Sequence, residues 1–313
     1  MSQELNSENP DNDFFKAVER HQELIQAGRC ADAEEAMEEI LQLVNERAEF
    51  DTSPDWLLVV EASACEARHD YQGMEAAHLQ RLSIADRFSR AGVHQELARL
   101  YIALNRHDEA LEHAQEIASA GRVSEIPIGA AMELRSAGSI YLRLGDVANA
   151  EKNYDAALVK LDTDDASYNP IRASLLTLLA ACDVPCGHIE QATAKLDEAL
   201  ELLRPLTPML SAAGVQSNYA QWWVTTAWLR LKCGEIEDSV EAWDQAVALS
   251  RHVAELPQCE GLEAPLFVAR VLHEYAAASH MIGDHEKAQQ LSTESSSVVA
   301  RRGLPPQRYY PLG

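Results

Sequence analysis

The chain has 313 residues, 47% of them hydrophobic, and a formal net charge of −24 from 50 acidic and 26 basic side chains. A polyanion of this kind is repelled by nucleic acid and by anionic lipid, so neither a nucleic-acid partner nor a membrane partner is expected. No run of about 18 apolar residues occurs, which excludes a helical membrane span.

In chain order, residues 1–13 are polar and acidic, with no apolar core of a signal peptide. They are expected to be a disordered tail of a cytoplasmic protein. From residue 14 onward the composition favours helix, with only 14 Gly and 12 Pro in the whole chain. Gly28 precedes Ala33, Met37 and Ile40, a turn followed by one face of a helix. A weaker unit turns at His69-Asp70-Tyr71. The next runs Leu97-Ala98-x-x-Tyr101, then Asn105 at the turn and Ala110 beyond it. The clearest is Leu134-x-x-Ala137-Gly138-x-x-Tyr141-x-x-Leu144-Gly145, followed by Ala150, Tyr154 and Ala157. Leu134, Ala137 and Tyr141 share one face of a first helix. Gly138 lets a neighbouring helix approach closely, and Gly145 ends the helix. Gly187 then precedes Ala192, Leu196 and Ala199. Gly234 precedes Ser239, Trp243 and Ala246, and Gly283 precedes Ala288, Ser292 and Ser295.

The turns therefore fall at 28, 69, 105, 145, 187, 234 and 283. Pro54, Pro127, Pro170, Pro205, Pro208, Pro257 and Pro265 lie in the connectors between units, where proline costs no interior helix bond. Pro185 breaks this rule and predicts that its helix ends early, near Cys182. The last residues, 303–313, carry Pro305, Pro306 and Pro311 and are expected to form an extended tail. Tyr309 and Tyr310 are placed to cap the last unit or to enter the groove of a second copy, giving a homo-oligomer.

Leu134, Ala137, Gly138, Tyr141, Gly145, Ala150, Tyr154 and Ala157 together resemble the tetratricopeptide repeat, with units longer than the usual 34 residues. The resemblance covers 14–302 and implies one all-α, right-handed superhelical solenoid of about seven helix-turn-helix repeats, roughly fourteen helices. It also implies that the first helix of each pair lines a concave groove. On that assignment the first-helix windows balance to zero charge, while the second-helix windows carry −15. The groove then holds isolated arginines against a nearly neutral background, and Arg suits carboxylates through its planar fork. The expected partner-binding residues are Gln95, Arg99, Arg135, Ser139, Arg143, Trp222, Arg230, Arg270 and His273. A chaperone-type carboxylate clamp needs a Lys and Asn set that this stretch lacks.

Six cysteines are scattered at 30, 65, 182, 186, 233 and 259, which reads as reduced thiols rather than a disulfide framework. Cys182-x-x-x-Cys186-x-His188 lacks a fourth ligand and the usual spacing, so no metal is expected. No phosphate loop, dinucleotide fingerprint, HExxH or GxSxG occurs. No catalytic residue and no cofactor is therefore expected. The reading is a non-catalytic scaffold or adaptor that holds a peptide or helix of a partner protein. The alternative is a cytoplasmic sensor whose solenoid closes around a signalling peptide or small ligand.

Overall fold

The computed structural model describes residues 54–309, apart from 87–88, 162–164, 210–212 and 256–261, together with Lys16, Ala17, Arg20 and Ala36. The first expected repeat, turning at Gly28, lies outside the described residues, as do Pro257 and Tyr310. Among the described residues there are twelve α-helices and no strand. The chain divides into two compact units, 1–86 and 87–313.

In the first unit α1 (Pro54–Ala67) and α2 (Tyr71–Ile84) pair as a hairpin. Asp70 caps α2 by accepting from the Gly73 amide. The second unit holds five hairpins in succession. These are α3 (Arg90–Ala103) with α4 (His107–Val123), α5 (Pro127–Arg143) with α6 (Val147–Lys160), α7 (Asn169–Cys186) with α8 (Ile189–Leu203), α9 (Ala213–Lys232) with α10 (Ile236–Ala254), and α11 (Glu263–Met281) with α12 (His285–Ala300). Within the second unit each helix packs on its chain neighbours, and each first helix also touches the first helix of the next hairpin. This all-α repeat solenoid follows from short turns between amphipathic helices that cannot bury their apolar faces alone.

The turn chemistry is the one read from the sequence. His69, Asn105, Gly145, Gly187, Gly234 and Gly283 all have left-handed φ between 59° and 87°. Asp146 and Asp284 cap α6 and α12 as Asp70 caps α2. The six clearest motif positions, Leu134, Ala137, Tyr141, Ala150, Tyr154 and Ala157, are all buried. A Cβ at Gly138 would lie 2.5 Å from Tyr154 Cε1, so the glycine is what admits the tyrosine ring.

Two details differ from expectation. The helix carrying Pro185 continues to Cys186. Proline there forfeits one bond in the last turn, and the buried face from Ala173 to Val184 holds the rest. In α12 the buried row is Leu291, Ser295 and Val299 rather than Ala288 and Ser292 with Ser295. Ala288 and Ser292 are half-buried, and the row that packs on α11 is the one through Leu291 and Ser295, whose hydroxyl donates to Ala269 O at 2.7 Å.

In the first hairpin of the larger unit, His94 Nδ1 and His113 Nδ1 lie 2.7 Å apart, and His113 stacks on Tyr101. Only one proton fits between the two nitrogens. Burial, then the neighbouring His113, holds His94 below its usual 6.5; burial likewise depresses His113 against the pull of Glu112, Glu116 and Glu109. The unfolded chain therefore binds protons first as pH falls below 6.5, and folding stability is lost in that window. The thermal midpoint should fall between pH 7 and pH 5 in the natural protein and fall less in His113→Phe. Equal slopes for the two would assign the acid sensitivity elsewhere.

Candidate functional site

The first helices of the larger unit face a cavity of about 360 Å³. Its walls are Ser139, Leu142 and Arg143 of α5, Leu178 of α7, Ser217 and Gln221 of α9, and Glu263, Leu266, Phe267 and Arg270 of α11, with Tyr154 and Val253 from second helices. The helical period explains the set. Ser217 and Gln221 are one turn apart on α9, as Ser139 and Arg143 are on α5.

Four arginines named from the sequence converge on this region. Arg99 of α3 reaches across to α11, its Nε 2.8 Å from Glu263 Oε1. That pair joins the first and last first-helices of the unit. Arg270 donates to Gln221 Oε1 at 2.5 Å and lies 3.8 Å from Glu274 Oε1. Glu274 is 2% exposed and also accepts from Trp228 Nε1 at 2.8 Å. Burial raises its pKa against the pull of Arg270 and the Trp228 bond. Arg135 donates to Ser174 Oγ at 3.2 Å, and burial lowers its pKa. Arg143 has no ion pair and no hydrogen-bond acceptor among the described residues. Burial, reinforced by the like charge of Arg270, brings its pKa down to about 10. Ser139 accepts from the Tyr154 hydroxyl at 3.3 Å, and burial raises that phenol.

The sequence also named residues that do not reach the cavity. Trp222 is one residue, about 100° of helix, beyond the cavity-facing Gln221. It packs against Ala173, Leu176, Ala199 and Leu203, and its Nε1 donates to Leu196 O at 2.9 Å. Arg230 is nine residues from Gln221, on the opposite face of α9, and pairs with Glu235 at 2.5 Å. Gln95 is half-buried on α3 and is not part of the cavity wall. His273 is half-buried, its pKa lowered by burial, and its ring lies 4.8 Å from that of Tyr309.

That last contact belongs to a feature the sequence left open. The extended residues after Gly303 return over their own chain. Gln307 Nε2 donates to Ala103 O at 2.7 Å, and Asn105 Nδ2 donates to Pro306 O at 2.9 Å. Leu304 is buried, and Tyr309 sits beside Leu142, Arg143, Arg270 and Glu274. Burial pushes the Tyr309 phenol up to about 12, and its hydroxyl has no hydrogen-bond partner among the described residues. The tail thus spans from the last hairpin to the first turn of the unit, and Tyr309 lies beside Arg143 and Arg270, two side chains of the cavity wall.

No family model matches the sequence, and the search of the curated proteins finds no match either. Experimentally determined structures do match. The apo form of RapI aligns with a TM-score of 0.68 at 12% identity, over 92% of this chain and 99% of that one. A Rap protein complexed with Competence and Sporulation Factor gives 0.56 at 14% identity, over 92% and 78%. The Rap conjugation gene regulator of the plasmid pLS20, in complex with the Phr* peptide, gives 0.53 at 11% identity, over 93% and 96%. The chain has the tetratricopeptide-repeat fold. At these identities the likeness is one of architecture. Within that fold, no group of three His, Cys, Asp or Glu side chains among the described residues is placed to hold a metal ion. No helix among them is long and apolar enough to cross a membrane.

Proposed function

We propose that the chain is a non-catalytic binding scaffold that holds a peptide segment of a partner protein against the first helices of the 87–313 unit. The observation that carries this reading is the cavity itself. It combines aliphatic and aromatic walls with a few convergent polar groups, the composition of a recognition site. It is also cationic in a protein whose net charge is −24. Two structures of the same fold are named as complexes, one with Competence and Sporulation Factor and one with the Phr* peptide. A peptide is the natural occupant of a groove of this kind, held by pockets and a few polar anchors.

A second reading, a sensor that closes on its ligand, is favoured by one contact. The Arg99–Glu263 pair bridges the unit from α3 to α11 and is partly exposed. A pair of that exposure contributes under about 1 kcal/mol, so it opens and closes at little cost.

The test is selection of a synthetic pool of random hexapeptides, with free termini, on the intact protein, followed by mass spectrometry. The expected result is a defined set of binders that lose at least about tenfold in affinity for the Arg135→Glu/Arg143→Glu variant, with helical circular dichroism retained. Binders that hold the variant equally well would move the site to the acidic second helices. Compaction on binding, read by small-angle scattering, distinguishes the sensor from the rigid adaptor.

A further inference from the structure

The extended residues after Gly303 lie on the larger unit in the manner of a bound peptide. Leu304 is buried, Pro306 and Arg308 are exposed, and Pro305, Gln307 and Tyr309 are half-buried. An extended chain with one side resting on a surface shows this alternation. Pro305 and Pro306 fix φ and hold the segment extended before it docks, which lowers the entropy lost on docking.

The face beneath holds both backbone and side chains. Asn105, at the turn after α3, donates to Pro306 O at 2.9 Å and accepts from the Arg308 amide at 3.4 Å. One carboxamide thus holds the backbone on either side of Gln307. Gln307 donates to Ala103 O at 2.7 Å, at the C-terminal end of α3, where the helix has no further amides to donate. Tyr309 lies beside Leu142 and Arg143 of α5 and Arg270 and Glu274 of α11, its ring 4.8 Å from that of His273. Leu142, Arg143 and Arg270 also wall the cavity. A peptide that fills the cavity and continues along α5 and α11 therefore meets Tyr309. The fit of the tail is imperfect. The Tyr309 hydroxyl is buried without a hydrogen-bond partner among the described residues, and an unpaired buried hydroxyl costs free energy. That cost weakens the tail as an occupant and opens it to displacement.

We infer that residues 304–309 are a built-in occupant of this face, a strap that a partner's extended segment displaces when it binds. The segment that fits carries an amide and an aromatic side chain two residues apart, in the places of Gln307 and Tyr309. This rests on the peptide-binding reading above and adds that the free protein covers part of its own site. The tether sets the strength. A tail held within reach at about 1 mM, whose free peptide dissociates at about 100 μM, is docked about 90% of the time and weakens a competitor about tenfold.

The first probe is a synthetic peptide of residues 303–313, labelled with fluorescein at its N-terminus and followed by anisotropy on the full-length protein. It should bind the Gln307→Ala/Tyr309→Ala variant, whose own strap is disabled, at least about tenfold more tightly than the natural protein. Adding Asn105→Gly, which keeps the left-handed turn and removes the carboxamide, should abolish most of that binding. Hexapeptides selected on the Gln307→Ala/Tyr309→Ala variant should likewise bind it about tenfold more tightly than they bind the natural protein. Added to the natural protein, they should speed tryptic cleavage after Arg308, read by mass spectrometry. Equal hexapeptide affinity for both proteins would make the tail a clasp beside the site, and the inference falls with the peptide-binding reading intact. Failure of the tail peptide to bind the variant, with helical circular dichroism retained, overturns the docking face whatever the hexapeptides do. A selection on the variant that yields no binder overturns the peptide-binding reading, and displacement by a partner falls with it.

Discussion

Trp243→Ala should destabilise the 87–313 unit by about 3–5 kcal/mol, the range for removing a fully buried large aromatic. Trp243 has no exposed surface. Its ring lies 5.5 Å from Trp228 in an edge-on arrangement and 5.5 Å from Tyr275 in a stacked one. The three side chains come from α10, α9 and α11, so the stack joins two hairpins. In an array whose stability is the sum of units and nearest-neighbour interfaces, loss at one interface uncouples what lies beyond it. Urea unfolding followed by circular dichroism should therefore shift to a lower midpoint and broaden, with α11 and α12 releasing first. Trp243→Phe should cost much less, about 1 kcal/mol. It keeps a ring in the stack and removes the indole N–H, which is buried without a partner among the described residues. An unpaired buried donor already costs about 1–3 kcal/mol, and its removal offsets part of the lost volume. A cost under about 1 kcal/mol for the alanine variant would show that the hairpins are not coupled through this stack.

Gly138→Val should be almost as damaging, at about 3 kcal/mol, with Gly138→Ala between 1 and 3. The Cβ alone would meet Tyr154 at 2.5 and 2.8 Å, and the tyrosine is fully buried between its hairpin helices. The ring cannot swing away without breaking its bond to Ser139 and opening the interface. Tyr154→Leu removes the atoms that collide. The double variant Gly138→Ala/Tyr154→Leu should therefore be more stable than the two single losses added together. Additive losses in chemical denaturation would locate the strain outside this pair.

Gly138 also shows what the sequence carries openly. A glycine one turn before a tyrosine, in a first helix followed by a left-handed turn, is a local statement about how close two helices come. The turn at Asn105 is local in the same way. Asparagine tolerates positive φ better than other side chains, and its place in the repeat register marked it without a glycine. Pro185 was read with the same local logic and misled, because tertiary burial of the helix outweighed one lost hydrogen bond.

The site was legible in part. Arg99, Arg135, Arg143, Ser139 and Arg270 were chosen because they sit on first helices, and the fold brings that set together. Trp222 stands among the residues expected to bind a partner, but one residue of helical phase makes it a packed side chain with its N–H satisfied. Gln221, its neighbour, carries no distinctive signal in the sequence but faces the cavity. Glu263, Phe267 and Glu274 were also missed. Only a count of helix phase from Arg270 would have placed them on the same face.

The hairpins, their turns and the small residues at their seams are legible in the residues themselves. Each of these depends on interactions within a few residues or between adjacent helices, and each leaves a residue-type signature at fixed spacing. The tertiary structure alone decided which arginine meets which carboxylate and where the tail lies. Arg99 meets Glu263, Arg143 forms no ion pair among the described residues, and Gln307 returns to Ala103. Those encounters depend on the small rotation between successive hairpins summed over five of them, and a local pattern does not record that sum.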